Sequence, residues 1–200
     1  MKMQIMSAIV ATVILSSTSA AQKLVGRDSL RSLPTPALLD SAGLFQAVYA
    51  SVGDDLFIAG QPTERALREM KRLGVTTIIN LRMPQEMERI GFDEPKLIAE
   101  LGMKYVYIPM RGTAEMPYSP DGLKKFTDAM AEAKGKVLLH CTVAWRASHL
   151  WGAYLIQQGV PVAEALAHAR AINLRDTRMT DGKQPIESFL GREVPGLGRP

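Results

Sequence analysis

The stretch Lys136–Ser148, K-V-L-L-H-C-T-V-A-W-R-A-S, constrains this chain more than any other and holds its only cysteine. Val137, Leu138 and Leu139 form a short apolar run suited to a buried strand, and Ala147–Gln158 is apolar-rich, free of proline and suited to a helix. A strand, a tight loop and a helix start therefore converge on Cys141. In such a loop, successive N–H groups and the positive end of a helix dipole favour a bound anion and a thiolate. Arg146 adds a planar cation with paired donors for the same anion. These residue types suit a thiolate attacking phosphorus or sulfur; taken alone, they also suit a small buried cysteine and a solvated arginine at a helix start.

The surrounding sequence alternates strands and helices. Gly53-Asp54-Asp55 is a turn that feeds a strand over Leu56–Ala59, and Thr63 is placed to cap a helix that buries Ala66, Leu67, Met70 and Leu73. Val75–Leu81 is a second strand, Glu94-Pro95 opens a second helix with Leu97, Ile98 and Leu101 inward, and Tyr105–Ile108 is a third strand. The loop Pro109–Pro120 is long enough to be functional, and Ser119 caps a helix carrying Leu123, Phe126 and Met130. Gly159-Val160-Pro161 breaks the chain before a helix over Val162–Ile172. The pattern predicts an α/β fold, with a mostly parallel sheet of four to five strands flanked by helices. Ligands of such sheets bind beyond the carboxyl ends of the strands, where Arg82, the Pro109–Pro120 loop and Cys141 all fall.

The 200 residues allow one domain of 53–175, and 46% hydrophobic with 22% charged residues is the composition of a soluble globular protein. Lys2, the apolar run Ile5–Leu15 and the small residues Ser16–Ala21 have the order of a secretory signal over 1–21, too short to span a bilayer. A periplasmic or secreted product is expected, without stable membrane insertion after cleavage. Residues 22–52 read as an N-terminal extension, with Leu38–Val48 a short helix or strand, and 176–200 as a C-terminal tail, mobile at Pro195–Pro200. Loss of Lys2 takes the formal charge from +4 to +3, and the basic residues are spread out, so an anionic small substrate fits better than nucleic acid. A single cysteine in an oxidising compartment has no intramolecular partner, which favours a chemical role or a protected, buried one.

Beyond these features, the chain resembles the protein-tyrosine-phosphatase-like superfamily, specifically the small bacterial beta-lactamase-hydrolase-like phosphatase domains, which are dual-specificity-phosphatase-like. The matching pieces are Phe57-Ile58-Ala59-Gly60-Gln61-Pro62-Thr63, Gly74–Arg82 ending in Ile79-Asn80-Leu81-Arg82, Tyr107-Ile108-Pro109, and His140-Cys141 with Arg146. The resemblance implies a phosphoric monoester hydrolase in which Cys141 forms a phosphocysteine while Arg146 and the amides of Thr142, Val143, Ala144 and Trp145 hold the phosphoryl oxygens. It implies no metal and no cofactor, and the three histidines show no metal-ligand spacing. His140 is expected to orient the loop or fill the core. Glu115, in the Pro109–Pro120 loop, is the expected general acid, while Asp121 suits a helix N-terminus. Ser148 is the hydroxyl for the departing thiolate, although Ala147 intervenes. Arg82 either adds positive potential above the substrate or pairs with Glu86 or Glu88.

The loop departs from the best-known phosphatases in three ways. Four residues separate Cys141 from Arg146 instead of five, Ala144 stands where a glycine is usual, and Trp145 is bulky, either walling the pocket or anchoring the helix. A positive φ at Ala144 would cost about 1–2 kcal/mol. The expected function is an exported cysteine-dependent phosphatase acting on phosphotyrosine or small phosphomonoesters. The alternatives are a rhodanese-like sulfurtransferase using a Cys141 persulfide, and an inactive scaffold that binds an anion or a partner.

Overall fold

The structure, a computed structural model, describes residues 33–177, 179 and 181–198. The expected signal segment lies outside them. Six strands form one sheet: β1 (Ala37–Leu38), β2 (Tyr49–Val52), β3 (Leu56–Ala59), β4 (Val75–Asn80), β5 (Lys104–Tyr107) and β6 (Lys136–His140). Their spatial order is β1-β2-β3-β6-β4-β5. The pairs β3·β6, β6·β4 and β4·β5 are parallel, as alternation with helices requires, whereas β1·β2 and β2·β3 are antiparallel. The segment read as an extension thus contributes two strands, and the sheet has six strands rather than four to five. Two short strands carry too little periodicity to announce themselves; β2 is ordered by pairing with β3 across a tight turn, and β1 by pairing with β2.

Seven helices are described: α1 (Glu64–Arg72), α2 (Pro84–Met87), α3 (Glu94–Glu100), α4 (Pro120–Glu132), α5 (Trp145–Gln157), α6 (Val162–Ile172) and α7 (Pro185–Leu190). Thr63 caps α1 by accepting from Ala66 N at 3.2 Å, and Ser119 caps α4 by accepting from Gly122 N at 3.2 Å, both as expected. The residues read as a tail include α7, whose Ile186 and Phe189 are fully buried, with Val194 and Leu197 buried behind it. Six helical residues among polar neighbours are too few to show a stripe.

Alternation along β6 explains the layering. Val137 and Leu139 join the core built with α4–α7, while Leu138 joins the core beneath α1 and α3. β3 divides likewise, with Leu56 and Ile58 on one face and Phe57 and Ala59 on the other. Trp151, Tyr154, Phe126 and Phe189 are the largest fully buried side chains, and each contributes about 1.5–3 kcal/mol by leaving water. All lie on the α4–α7 face, which holds α5 firmly against β6. The site follows from that placement, because β6 is central and α5 starts where it ends. Among the described residues no helix is long and apolar enough to cross a membrane.

Candidate active site

The loop between β6 and α5 is pinned by its carbonyl groups. Gln61 N donates to Thr142 O at 3.0 Å, Asn173 Nδ2 to Val143 O at 2.7 Å, and Ser148 N and Oγ to Ala144 O at 2.9 and 2.7 Å. In a trans peptide the N–H lies opposite the C=O, so the amides that follow these carbonyls turn away from those partners, as an anion-holding loop requires. Ala144 has φ +64° and ψ 1°, the left-handed conformation, and it is fully buried. Gly60 lies against the loop so closely that an added Cβ would fall on the Gln46 carbonyl oxygen and 2.8 Å from Thr142 O. No side chain fits there, which is why the β3 end carries glycine. Cys141 is 1% exposed and is a free thiol.

Arg146 is 3% exposed and draws four segments together. Its Nη1 donates to Leu81 O at 3.1 Å, Met110 O at 3.0 Å and Glu86 Oε2 at 2.8 Å, and its Nη2 to Glu86 Oε1 and Thr142 Oγ1, both at 2.8 Å. None of these bonds uses Nε. Glu86 stands on α2 and also accepts from Met83 N at 2.7 Å, Thr142 Oγ1 at 3.0 Å and Arg111 Nη1 at 3.3 Å. Burial works against its charge, but the Arg146 bonds, the Met83 amide, the Arg146 charge and the Thr142 hydroxyl hold its pKa down to about 2.

Behind the loop lies a second charged cluster. Glu94, in the first turn of α3, accepts from Gln61 Nε2 at 2.7 Å and Asn80 Nδ2 at 2.8 Å, and His140 Nε2 is 3.2 Å from its Oε1. Neither Glu94 nor His140 has any exposed surface. Burial opposes ionisation of Glu94, yet the His140 charge and the three hydrogen bonds keep its pKa below the usual carboxylate range. His140 thus holds the strand end, one residue from the sulfur. Arg82 is also buried, with Nη1 donating to Gln61 Oε1 at 2.6 Å and Nη2 to the Glu86 carbonyl oxygen at 2.9 Å.

The site residues read from the sequence divide into those gathered at the loop and those held elsewhere. Thr142, Val143, Ala144, Trp145 and Arg146 surround Cys141 as the loop and helix start, and Arg82 borders it through Gln61. Trp145 is half-buried, edge-on to Tyr118 and His149, so it both anchors the helix and walls the loop. Ser148 spends its hydroxyl on Ala144 O, the back-bond a serine makes inside a helix, and that bond is not to the sulfur. Glu115 is exposed, and hydrogen bonds from its own backbone and the Thr113 hydroxyl lower its pKa. Glu86 is the carboxylate the structure sets on Arg146; the sequence reading offered it to Arg82, which takes its backbone oxygen instead. Among the described residues no group of three or more His, Cys, Asp or Glu is placed to hold a metal ion.

The family model for the beta-lactamase hydrolase-like protein, phosphatase-like domain, matches residues 49–159. A beta-lactamase hydrolase-like protein of Xylella fastidiosa (strain Temecula1 / ATCC 700964) is 30% identical over 128 residues, 62% of this chain and 29% of the relative. The chain thus spans well under half the length of that curated relative. A DUF442 protein of Shewanella putrefaciens CN-32 is 31% identical, covering 70% of this chain and 80% of its own, at a TM-score of 0.46. P. aeruginosa TpbA, solved in complex with phosphotyrosine, covers 82% of this chain and 93% of its own at a TM-score of 0.54 and 16% identity, and shares the fold. With the cysteine loop, its arginine and the mixed six-stranded sheet in place, the chain belongs to the beta-lactamase hydrolase-like protein, phosphatase-like domain family.

Proposed function

We propose that the chain is an exported phosphatase that hydrolyses phosphotyrosine or other aryl phosphomonoesters through a phosphocysteine. The observation that carries this reading is the fixing of Arg146 over the Cys141 loop through Nη1 and Nη2, with Nε left for a phosphoryl oxygen. The Cys141 sulfur attacks phosphorus as the P–O bond to the leaving group breaks. Water then attacks the phosphocysteine, releasing inorganic phosphate and restoring the thiolate. Arg146 and the loop amides hold the equatorial oxygens in both steps.

The preference for aryl esters follows from the two carboxylates nearest the question. Glu86, at about 2, and Glu115, lowered and exposed, are both ionised at neutral pH, so neither brings a proton to a departing oxygen. A phenolate leaves without one far more readily than an alkoxide does. That TpbA, of the same fold, binds phosphotyrosine is in keeping with this choice. Export rests on the order of Lys2, the Ile5–Leu15 apolar run and the small residues before Gln22, and the mass of the secreted chain tests it.

The test is hydrolysis of aryl and alkyl phosphates by the protein and by Cys141→Ser under reducing conditions. Aryl phosphate release that vanishes in the variant supports the reading. Release that persists in the variant, or its absence with every ester, overturns it.

A further inference from the structure

A cavity of about 630 Å³ opens next to the catalytic loop, between the turn before β2, the β3–α1 connection and the segment that follows α2. Gln61 and Arg82 form its buried wall, Phe45 and Phe92 its apolar sides, and Arg65 and Arg89 its exposed rim. Glu64 is the one carboxylate among these lining residues, against three guanidinium groups. The cavity touches the catalytic site through its wall, since Gln61 N holds Thr142 O.

Arg82 is 6% exposed and unusually partnered for a buried cation. Its two bonds go to a neutral amide oxygen and a main-chain carbonyl, and its Nε has no partner. None of the ion pairs among the described residues involves it; Glu86 and Glu94 act on it only from farther away. A buried charge is normally paired, because desolvation costs more than neutral hydrogen bonds return. Here the fold leaves that deficit on the wall of an open cavity whose rim carries two further cations. Arg65 is braced by donating to Ala42 O at 3.2 Å, which keeps its charge at the rim.

We propose that this cavity is a second anion subsite, taking a carboxylate or phosphate that the substrate carries at a distance from the phosphoryl group received by Cys141. The inference rests on the phosphatase reading for its substrate and adds what the rest of that substrate must be. Phe45 and Phe92 suit an apolar or aromatic body between the two anions. The reacting phosphate engages Arg146 and the loop, and the distal anion engages Arg82, Arg65 and Arg89.

The experiment uses ω-(4-phosphooxyphenyl)alkanoates with tethers of one to four methylene groups, each against its uncharged methyl ester. For at least one tether the acid has a KM about three- to tenfold below that of its ester, the scale expected of two partly exposed charge contacts. Arg65→Gln with Arg89→Gln removes that ratio and leaves hydrolysis of the esters unchanged. A ratio of one at every length overturns the subsite, as does a ratio that survives in the double variant. Inorganic sulfate that changes ester hydrolysis in the protein but not in the double variant, with the tethered acids gaining nothing, also overturns it in favour of a free-anion site. If no ester turns over at all, the phosphatase reading has failed, and titration calorimetry on Cys141→Ser with the acid and the ester decides the subsite independently.

Discussion

Glu86 and Glu94 stand eight positions apart and both lose their protons well below the usual range, yet they serve opposite sides of Cys141. Glu94 has no exposed surface and is locked to His140, Gln61 and Asn80 behind the strand end. Glu86 is 21% exposed and faces Arg146 beside the loop. Removing a partner from a fully desolvated pair leaves a charge with nowhere to go, whereas water reaches a partly open pair and softens the loss. The rear carboxylate therefore governs whether the loop exists, and the front one governs how Arg146 is aimed.

The sharpest way to break this division is Glu94→Ala. It strands His140 and two buried amides and is expected to lower unfolding free energy by about 3–5 kcal/mol, read from the denaturant midpoint, while kcat per folded molecule stays within about threefold. A kcat loss as deep as that of the front variant would erase the distinction. Glu86→Gln keeps the shape of the front carboxylate and removes its charge. Its expected cost is about 1–3 kcal/mol in stability but about 10- to 100-fold in kcat, because a misdirected Arg146 no longer meets the transition state.

Acid separates the same groups thermodynamically. The folded pKa of Glu86 is about 2 against an ordinary value of 4.5, so its contribution is complete above about 4.5 and disappears as pH falls toward 2. Glu94 is lowered too and acts with the same sign. Buried His149, brought down to about 4 from 6.5, loses its contribution earlier, as pH falls from 6.5 toward 4. Denaturant midpoints against pH are therefore expected to coincide in slope for the protein and Glu86→Gln above pH 4.5, and to be shallower in the variant below it.

The smallest effect is expected at Ala144. A glycine relieves about 1–2 kcal/mol of left-handed strain but removes a buried methyl worth about 0.8 kcal/mol and adds chain entropy of about 0.5–1 kcal/mol to the unfolded state. Ala144→Gly should thus fall within about 1 kcal/mol of the parent in thermal or denaturant unfolding. A larger gain would mean that the loop is held against its preference by the pairs on either side.

What could be read from sequence was what is local. The run Val137–Leu139, the Cys141 loop and α5 are contiguous, so their geometry shows in a dozen residues, and the place of Ala144 in that loop raised the question that its φ of +64° answers. Thr63 and Ser119 were visible as caps because each sits three residues from the amide it bonds. Glu86 was misassigned because its partner lies 60 residues away, and nothing in the polar stretch Pro84–Arg89 says which arginine will fold over it. Glu94 looked like an ordinary first-turn acid before proline; its burial depends on β4 and β6 meeting behind it. Glu115 was chosen for standing in the right loop, but position along a loop does not set which way a carboxylate points. The strands β1 and β2 and the helix α7 were hidden because each draws its order from the sheet or helices it packs on.

β6 belongs to two cores at once, with Leu138 turned to one and Val137 and Leu139 to the other. The faces of the sheet therefore have no way to melt independently through this strand, since releasing either exposes residues that the other needs. Cys141, carried at the end of that strand, has no private region of low stability in which to open. Denaturant should accordingly extinguish the activity of the loop and the folded signal of both helical layers in one transition.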